Sequence, residues 1–211
     1  MVVLTLSGLV LSSCASLSAV FLQDETPSEP ESIFNSETFA GLKLRNIGPA
    51  LMSGRIADIA LHPDNPSIWY VAVGSGNVWK TINAGTTWTP IFENQGSYST
   101  GCIAIDPNAP ETIWLGTGEN VGGRHVGFGD GVYVSRDGGK SWNNVGLGAS
   151  EHIGKILIDP RDSDTVYVAA QGPLWSGGGE RCLFTSTDGG GSWNLVLSGR
   201  PYTGVHDVIM D

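Results

Sequence analysis

Short apolar runs separated by turn-forming residues recur through most of the chain. Val, Ile, Leu, Tyr and Trp alternate with clusters of Gly, Pro, Asn, Asp and Ser, which is the pattern of β-strands joined by tight turns. In the middle of the chain this pattern predicts strands at 101–106, 112–117, 131–135 and 142–145. No segment keeps a helical period long enough to form a helix. The sequence therefore predicts an all-β protein.

The same group of strands occurs as an internal repeat in three copies. IALHPDNPSIWYVA, IAIDPNAPETIWLG and ILIDPRDSDTVYVA each join two apolar strands through a polar turn, and they recur roughly every 50 residues. Four strands per repeat of this length are typical of β-propeller blades. The last residues, VHDVIMD, repeat the strand that opens each unit. The predicted fold is a β-propeller fragment of three four-stranded blades plus the first strand of a fourth, truncated at its C-terminus.

One eight-residue phrase lies between the third and fourth strands of every unit. It reads TINAGTTW at 81–88, SRDGGKSW at 135–142 and STDGGGSW at 186–193. An Asp or Asn at its third position can accept hydrogen bonds from the amides that follow it, and its glycines can adopt positive φ. Because Asn83 replaces the Asp in the first copy, we predict a structural turn and no catalysis. The structural residues are Thr81, Asn83, Gly85, Trp88, Ser135, Asp137, Gly139, Trp142, Ser186, Asp188, Gly190 and Trp193.

The phrase resembles the Asp box, also called the bacterial neuraminidase repeat. The resemblance covers residues 42–211 and extends to sialidases, xyloglucanase-type glycosidases, sortilin-like propellers and a photosystem assembly factor. GNVWKTINAGTTW and GVYVSRDGGKSW look most like large exported bacterial proteins with a sortilin-like, glycosyl-hydrolase-like N-terminal propeller. The resemblance implies a β-propeller, and it leaves the activity open because one fold carries many functions.

The catalytic groups of the resembling enzymes find no match in the sequence. Sialidases need three arginines and a Tyr–Glu pair, but only Arg55, in SGRIAD, stands at a suitable place. Xyloglucanase-type enzymes need two facing carboxylates, and the loop GSGNVW at 74–79, where the first is expected, contains none. We therefore assign no catalytic residue.

Two expanded loops, at 118–131 and 170–181, suggest a ligand face. Each joins a second strand to a third, and long loops within a compact fold are often functional. This face also receives the segments that start each blade, including Ser99. The candidate ligand residues are Arg55, Glu119, Arg124, His125, Asp130, His152, Trp175 and Arg181. The alternative is that these loops pack on neighbouring blades or on a second domain. No ligand spacing typical of a metal site occurs, and no cofactor is expected.

The N-terminal part of the chain reads as an export signal followed by a tether. Residues 1–22 contain no charged side chain and predict a signal peptide, although no Lys or Arg precedes the apolar stretch. Leu-Ser-Ser-Cys, ending at Cys14, is similar to a lipoprotein cleavage site, so Cys14 is a candidate for lipidation; an ordinary signal peptide or an uncleaved anchor is the alternative. Residues 23–40 are acidic, rich in Pro and predicted to be disordered, and residues 41–211 form the partial propeller.

Charge and cysteine content narrow the function classes. The net charge of −10 and the scattered Lys and Arg residues argue against nucleic-acid binding. Cys102 lies in an apolar run and is predicted to be a core residue, and a disulfide between it and Cys182 is left open.

These features predict an exported protein, either secreted or held at the bacterial cell envelope. The predicted function is a non-catalytic scaffold that binds a protein, peptide or glycan, alongside further blades and domains of the full-length chain. Membrane contact is expected only through the signal or a lipid anchor. The alternative is a glycoside hydrolase, xyloglucanase- or sialidase-like, whose catalytic residues lie mostly in blades outside this sequence.

Overall fold

The computed structural model describes Thr38, Gly41, and residues 54–123 and 126–211. The chain divides into two compact units, Met1–Arg45 and Asn46–Asp211, and the strands described here belong to the second. The predicted signal peptide at 1–22, with Cys14, and the predicted tether at 23–40, apart from Thr38, lie outside the described residues. So do Arg124 and His125 of the candidate ligand face.

The described residues form three antiparallel sheets of four strands, each with its strands in sequence order. The first sheet contains β1 (Ile56–Leu61), β2 (Trp69–Val73), β3 (Asn77–Thr81) and β4 (Thr89–Pro90). The second contains β5 (Thr100–Ile105), β6 (Ile113–Thr117), β7 (Val132–Ser135) and β8 (Asn143–Asn144). The third contains β9 (Ile153–Asp159), β10 (Asp162–Ala170), β11 (Cys182–Ser186) and β12 (Asn194–Leu197). The all-β prediction is confirmed, and the four strands expected in the second unit occur with ends shifted by a residue or two.

The opening strand of each sheet lies at the edge where the sheets meet. β5 contacts both β1 and β9, so the three opening strands are neighbours in space. A bulge interrupts the pairing of each of them, between Ile56 and Asp58 in β1, between Thr100 and Cys102 in β5, and between Ile153 and Lys155 in β9. At Gly101, inside the second bulge, an added Cβ would lie 2.4 Å from the carbonyl oxygen of Ile153. Glycine is needed there because the backbones of neighbouring sheets approach closely.

Two apolar cores lie between consecutive sheets. Side chains on opposite faces of a strand alternate, and in β6 Ile113 and Leu115 enter the core shared with the first sheet, whereas Trp114 enters the core shared with the third. The middle sheet is therefore buried on both faces, and β6 is buried along its whole length. This explains why its sequence is an almost unbroken apolar run.

Three turns of equal length, at 81–88, 135–142 and 186–193, also join the sheets. We call each of them the repeated turn. The indole N–H of Trp142 donates to the carbonyl of Ile91 at 2.8 Å, and that of Trp193 donates to the carbonyl of Val145 at 2.6 Å. Both acceptors directly follow the outermost strand of the preceding sheet. Each of these two indoles therefore makes a hydrogen bond that joins one sheet to the next.

The segment after β12 returns to the sheet edge where the opening strands lie. The N–H of Val205 donates to the carbonyl of Ala170 at 3.1 Å, and the backbone of His206 lies beside Gly154 of β9. Residues 204–211 have no regular strand pairing. Among the residues that the structure describes, no helix is long and apolar enough to cross a bilayer.

Candidate ligand-binding face

The two long connections and the blade-start segments contact one another at one end of the sheets. The Ser99 hydroxyl lies 2.8 Å from the carbonyl oxygens of both Gly74 and Gly127 and can donate to either, and the N–H of Gly129 donates to the carbonyl of Glu151 at 2.7 Å. We call this end the loop face; it is made of residues 118–123, 126–131 and 171–181, residues 54–55 before β1, and the segments that precede β5 and β9. Because consecutive turns of an antiparallel sheet alternate between its two ends, the repeated turn lies at the other end.

A buried carboxylate links two blades at the loop face. The Glu119 side chain is 2% exposed and forms an ion pair with the guanidinium of Arg55, which is 58% exposed. The Ser75 hydroxyl donates to the other oxygen of the same carboxylate. Burial of a carboxylate requires such partners. Arg55 and Glu119, both predicted ligand residues, are therefore brought together, and Ser75, from the short loop 74–76, was missed because no charge or spacing marked it.

His152 lies buried behind this ion pair. Its Nδ1 is 2.9 Å from the carbonyl oxygen of Glu119, and since a carbonyl only accepts, Nδ1 carries the proton in this contact. Burial lowers the pKa of the His152 imidazole, so the neutral ring is favoured. Among the predicted ligand residues that the structure describes, His152 and Glu119 are the two that are fully buried.

Asp130 supports the loop from which it comes. Its carboxylate accepts a hydrogen bond from the Tyr133 hydroxyl at 2.6 Å and a longer one from Thr117 at 3.3 Å. Burial and this hydrogen bond raise the pKa of Tyr133. Asp130 thus holds the end of the first long loop against β7, and its carboxylate is already engaged.

The second long loop is held together by Arg181. The guanidinium donates to the carbonyls of Pro173 at 2.8 Å, Ser176 at 2.9 Å and Gly178 at 2.6 Å. Trp175, at the tip of this loop, is 78% exposed. The loop therefore presents a rigid base and a projecting indole.

A cavity of about 320 Å³ lies beside this loop. Gln171, Pro173, Leu174, Arg181, Tyr202, Gly204 and His206 line it. Arg181 is a residue predicted from the sequence, whereas Tyr202 and His206 were not predicted, because they follow β12 and return to the loop face only in the folded chain. Tyr202 is 79% exposed, and its ring lies over Gly177, where an added Cβ would be 3.1 Å away.

Exposed aromatic rings concentrate at the loop face. Tyr98, Phe128, Trp175 and Tyr202 are each more than half exposed and all lie in its loops or in the segments that return to it. Aromatic rings bury a large area and stack on flat apolar surfaces. This face is consequently the part of the described surface best equipped to hold a ligand with apolar faces.

A second cavity, of about 470 Å³, lies between the first two sheets near the repeated turn. Lys80 and Trp142 contribute to its walls, but both already serve the structure. The Lys80 ammonium donates to the carbonyl of Gly138 at 2.9 Å, and Trp142 donates to Ile91. This cavity therefore gives less support for ligand binding than the loop face.

The carboxylates of the repeated turn are occupied by the turn itself. Asp137 accepts from the Ser141 hydroxyl at 2.6 Å and from the Ser141 amide at 2.9 Å, and Asp188 accepts from the corresponding groups of Ser192 at 2.7 and 2.8 Å. These hydrogen bonds lower the pKa of both carboxyls to about 2. Asn83 makes the same contact with the Thr87 amide at 2.9 Å. In all three copies of the turn, the side-chain oxygen at the third position accepts a hydrogen bond from the backbone amide four residues later.

The structure also shows the state of the two described cysteines and of the groups that could bind a metal. Cys102 and Cys182 are both buried free thiols, so the disulfide that the sequence left open is not formed, and burial raises the pKa of Cys102 to about 12. In the described part of the chain, no three His, Cys, Asp or Glu side chains are grouped closely enough to hold a metal ion.

The chain is similar in sequence to two curated enzymes. No protein-family model matches the chain. It is 25% identical over 184 residues to an oligoxyloglucan-reducing end-specific xyloglucanase of Emericella nidulans, covering 77% of the chain and 21% of that enzyme. It is 30% identical over 161 residues to a probable enzyme of the same name from Neosartorya fischeri, covering 68% of the chain and 18% of that protein.

A solved structure shows the same fold. The crystal structure of an ancestral GH74 enzyme superposes with a TM-score of 0.53 at 21% sequence identity, covering 68% of the chain and 18% of that enzyme. The three sheets thus form part of a β-propeller, as the sequence predicted. The chain spans about a fifth of the length of the curated relatives that it matches.

Proposed function

We propose that this chain is part of an exported, glycoside-hydrolase-like propeller protein and that its loop face binds oligosaccharide without catalysing cleavage. The similarity to two xyloglucanases carries the proposal. The exposed rings of Trp175 and Tyr202 beside a cavity of about 320 Å³ support it, since aromatic rings stack on the apolar faces of sugars.

The engagement of the loop carboxylates supports binding over catalysis. Glycosidic cleavage needs two carboxyl groups that face the bond from opposite sides. In the two long loops, Glu119 is held by Arg55 and Ser75, Asp130 by Tyr133, and Glu180 by the amide of Ala149 at 2.9 Å. Each has a structural partner, which favours the scaffold role for these blades.

The proposal also includes the type of propeller and the export of the protein. The hydrogen bonds of Asp137 and Asp188 within the repeated turn support membership of the Asp-box propellers, including the sortilin-like ones. The uncharged segment at 1–22 supports export, with lipidation of Cys14 as one route to the cell envelope. Catalysis by the full-length protein, as a xyloglucanase-like glycoside hydrolase, is the second candidate because both curated relatives carry that name.

Calorimetric titration of the chain with a xyloglucan oligosaccharide tests the proposal. Trp175→Ala removes one stacking surface, worth about 0.5–1.5 kcal/mol, and should weaken binding up to about tenfold. Ile82→Ala removes a side chain that is 67% exposed at the opposite end of the sheets and should leave binding unchanged. Absence of binding, or equal affinity of Trp175→Ala and the unmodified chain, would contradict the proposal. Release of new reducing ends by the unmodified chain would favour the hydrolase instead.

A further inference from the structure

The cavity beside the second long loop contains the positive charge of Arg181, which forms no ion pair with a carboxylate in the described part of the chain. The described ion pairs join Arg55 to Glu119, Lys155 to Asp58 and Arg161 to Asp159, and none involves Arg181. Arg181 therefore lines the cavity without an acidic partner among the described residues, in a chain whose net charge is −10.

The Arg181 guanidinium is fixed in position before any ligand arrives. Its Nε and Nη2 donate to three loop carbonyls at 2.6–2.9 Å, while Nη1 donates to no group in the described part of the chain. A guanidinium has a planar set of donors that suits carboxylates. Since the side chain is already ordered, a ligand that binds it avoids part of the entropic cost of immobilising it.

Two acidic side chains adjacent in sequence to cavity-lining residues, Glu180 beside Arg181 and Asp207 beside His206, are engaged with backbone amides. Glu180 accepts the amide of Ala149 at 2.9 Å, and Asp207 accepts the amide of Val208 at 2.9 Å. Neither compensates the guanidinium. An anionic group of a ligand could therefore act as the counter-ion of the Arg181 guanidinium.

Gln171 and His206 add directed polar groups to the same cavity. The Gln171 amide nitrogen donates to the carbonyl of Asn120 at 3.3 Å and contacts Nδ1 of His206 at 2.8 Å. Because an amide nitrogen only donates, Nδ1 is the acceptor, and the neutral ring carries its proton on Nε2. The Gln171 carbonyl oxygen and His206 Nε2 have no partner among the described residues. The cavity thus offers one acceptor and a second donor besides Arg181.

Tyr202 supplies an aromatic surface beside these groups. Its ring is 79% exposed and lies over Gly177 of the same loop. An aromatic ring next to a fixed guanidinium, a donor and an acceptor matches a sugar ring that carries a carboxylate. A purely neutral sugar would leave the guanidinium charge without a counter-ion.

We propose that this cavity is a subsite for a uronic-acid residue, so that the loop face prefers acidic oligosaccharides over neutral ones. This inference rests on the proposed glycan binding and adds the class of sugar that the third blade selects. Arg181 binds the carboxylate, Gln171 and His206 contact ring hydroxyls, and Tyr202 stacks on the ring.

A matched pair of probes tests the subsite. The neutral probe is a β-1,4-glucan oligosaccharide, and the acidic probe is the same oligosaccharide with C6 of one glucose oxidised to a carboxylate. Calorimetry on the full chain at low salt should give at least about tenfold tighter binding of the acidic probe, because a charge-assisted hydrogen bond contributes more than a neutral one. The preference should weaken with added salt.

Two variants separate charge recognition from stacking. Arg181→Gln should remove the preference while neutral binding persists, which also shows that the loop is still folded. Tyr202→Ala should weaken both probes by similar factors and keep their ratio, so it remains informative if Arg181→Gln fails to fold.

The outcomes distinguish the two proposals. Equal affinity of the unmodified chain for both probes, or a preference that survives Arg181→Gln, overturns the uronate subsite and leaves the proposed function intact. If neither this pair nor xyloglucan oligosaccharides bind, both proposals fall. Tighter binding of an acidic peptide than of the acidic sugar would overturn the subsite in favour of a protein ligand.

Discussion

The side chain of Asp137 illustrates how a single residue in this chain carries structure rather than chemistry. Its oxygens accept hydrogen bonds from Ser135, Lys140 and Ser141, and the equivalent Asp188 does the same in the third sheet. Asn83 occupies this place in the first sheet with the amide contact retained. The contact with the following amide therefore needs an oxygen acceptor at this position and not a negative charge.

The low pKa of these carboxyls predicts a loss of stability in acid. Asp137 and Asp188 have pKa values of about 2 in the folded chain against an ordinary value of 3.8, so the unfolded chain takes up protons first. Their contribution to stability is fully present above about pH 5 and is lost as the pH falls towards 2. Urea unfolding midpoints measured from pH 6 to pH 2 should fall over this range.

Variants of the repeated turn check the origin of that loss. Asp137→Asn combined with Asp188→Asn keeps an oxygen acceptor but removes the titration, so the fall in midpoint should become shallower. The reciprocal change Asn83→Asp should make it steeper. An unchanged profile in both variants would assign the acid sensitivity to other groups, among them Asp159, whose pKa its contact with Arg161 also lowers to about 2.

At the scale of elements, the repeated turn acts as a link between sheets. The sequence showed that a Trp ends each copy, and the turn itself followed from local chemistry. The acceptors of the indole N–H groups, Ile91 and Val145, lie about 50 residues earlier in the chain. No local pattern points to them, because the pairing depends on how one sheet stacks against the next.

Replacement of the indoles tests this link. Trp193→Phe removes the hydrogen bond to Val145 and should lower the free energy of unfolding by about 0.5–1.5 kcal/mol beyond the loss of packing. Trp88→Phe is the matched control, since Trp88 is also partly exposed but its N–H has no partner in the described part of the chain. Chemical denaturation of both variants measures the difference, and equal losses would show that the hydrogen bond contributes little.

At the scale of the whole molecule, the two outer sheets expose apolar strands. Ile56, Ile59 and Leu61 of β1 and Leu195, Val196 and Leu197 of β12 are each 46–65% exposed. Exposed apolar edge strands pair readily with other chains. The middle sheet, by contrast, is buried on both faces, so the apolar surface is concentrated at the two ends of the described array.

This distribution predicts self-association of the chain in solution. Sedimentation velocity should show species larger than the monomer that grow with concentration. Leu61→Lys together with Leu197→Lys should shift the distribution towards the monomer, since charged side chains protect sheet edges. Ile82→Lys, at an exposed apolar residue within a turn, is the control and should change nothing. A sharp monomer peak for the unmodified chain at all concentrations would contradict the prediction.

The sequence by itself determined the strands, the repeat and the turn chemistry of this protein. These features depend on neighbours within a few residues, as the alternation in β6 and the hydrogen bonds of Asp137 illustrate. The tertiary structure alone decided which loop residues are buried and which line a cavity at the loop face. Glu119 and His152, chosen from their position in the sequence, are buried, whereas Tyr202 and His206 join Arg181 at a cavity. The burial of a side chain and its position at a cavity depend on contacts between segments that are far apart in the sequence. Burial, charge pairing and packing at these contacts depend on one another, so no local pattern predicts them.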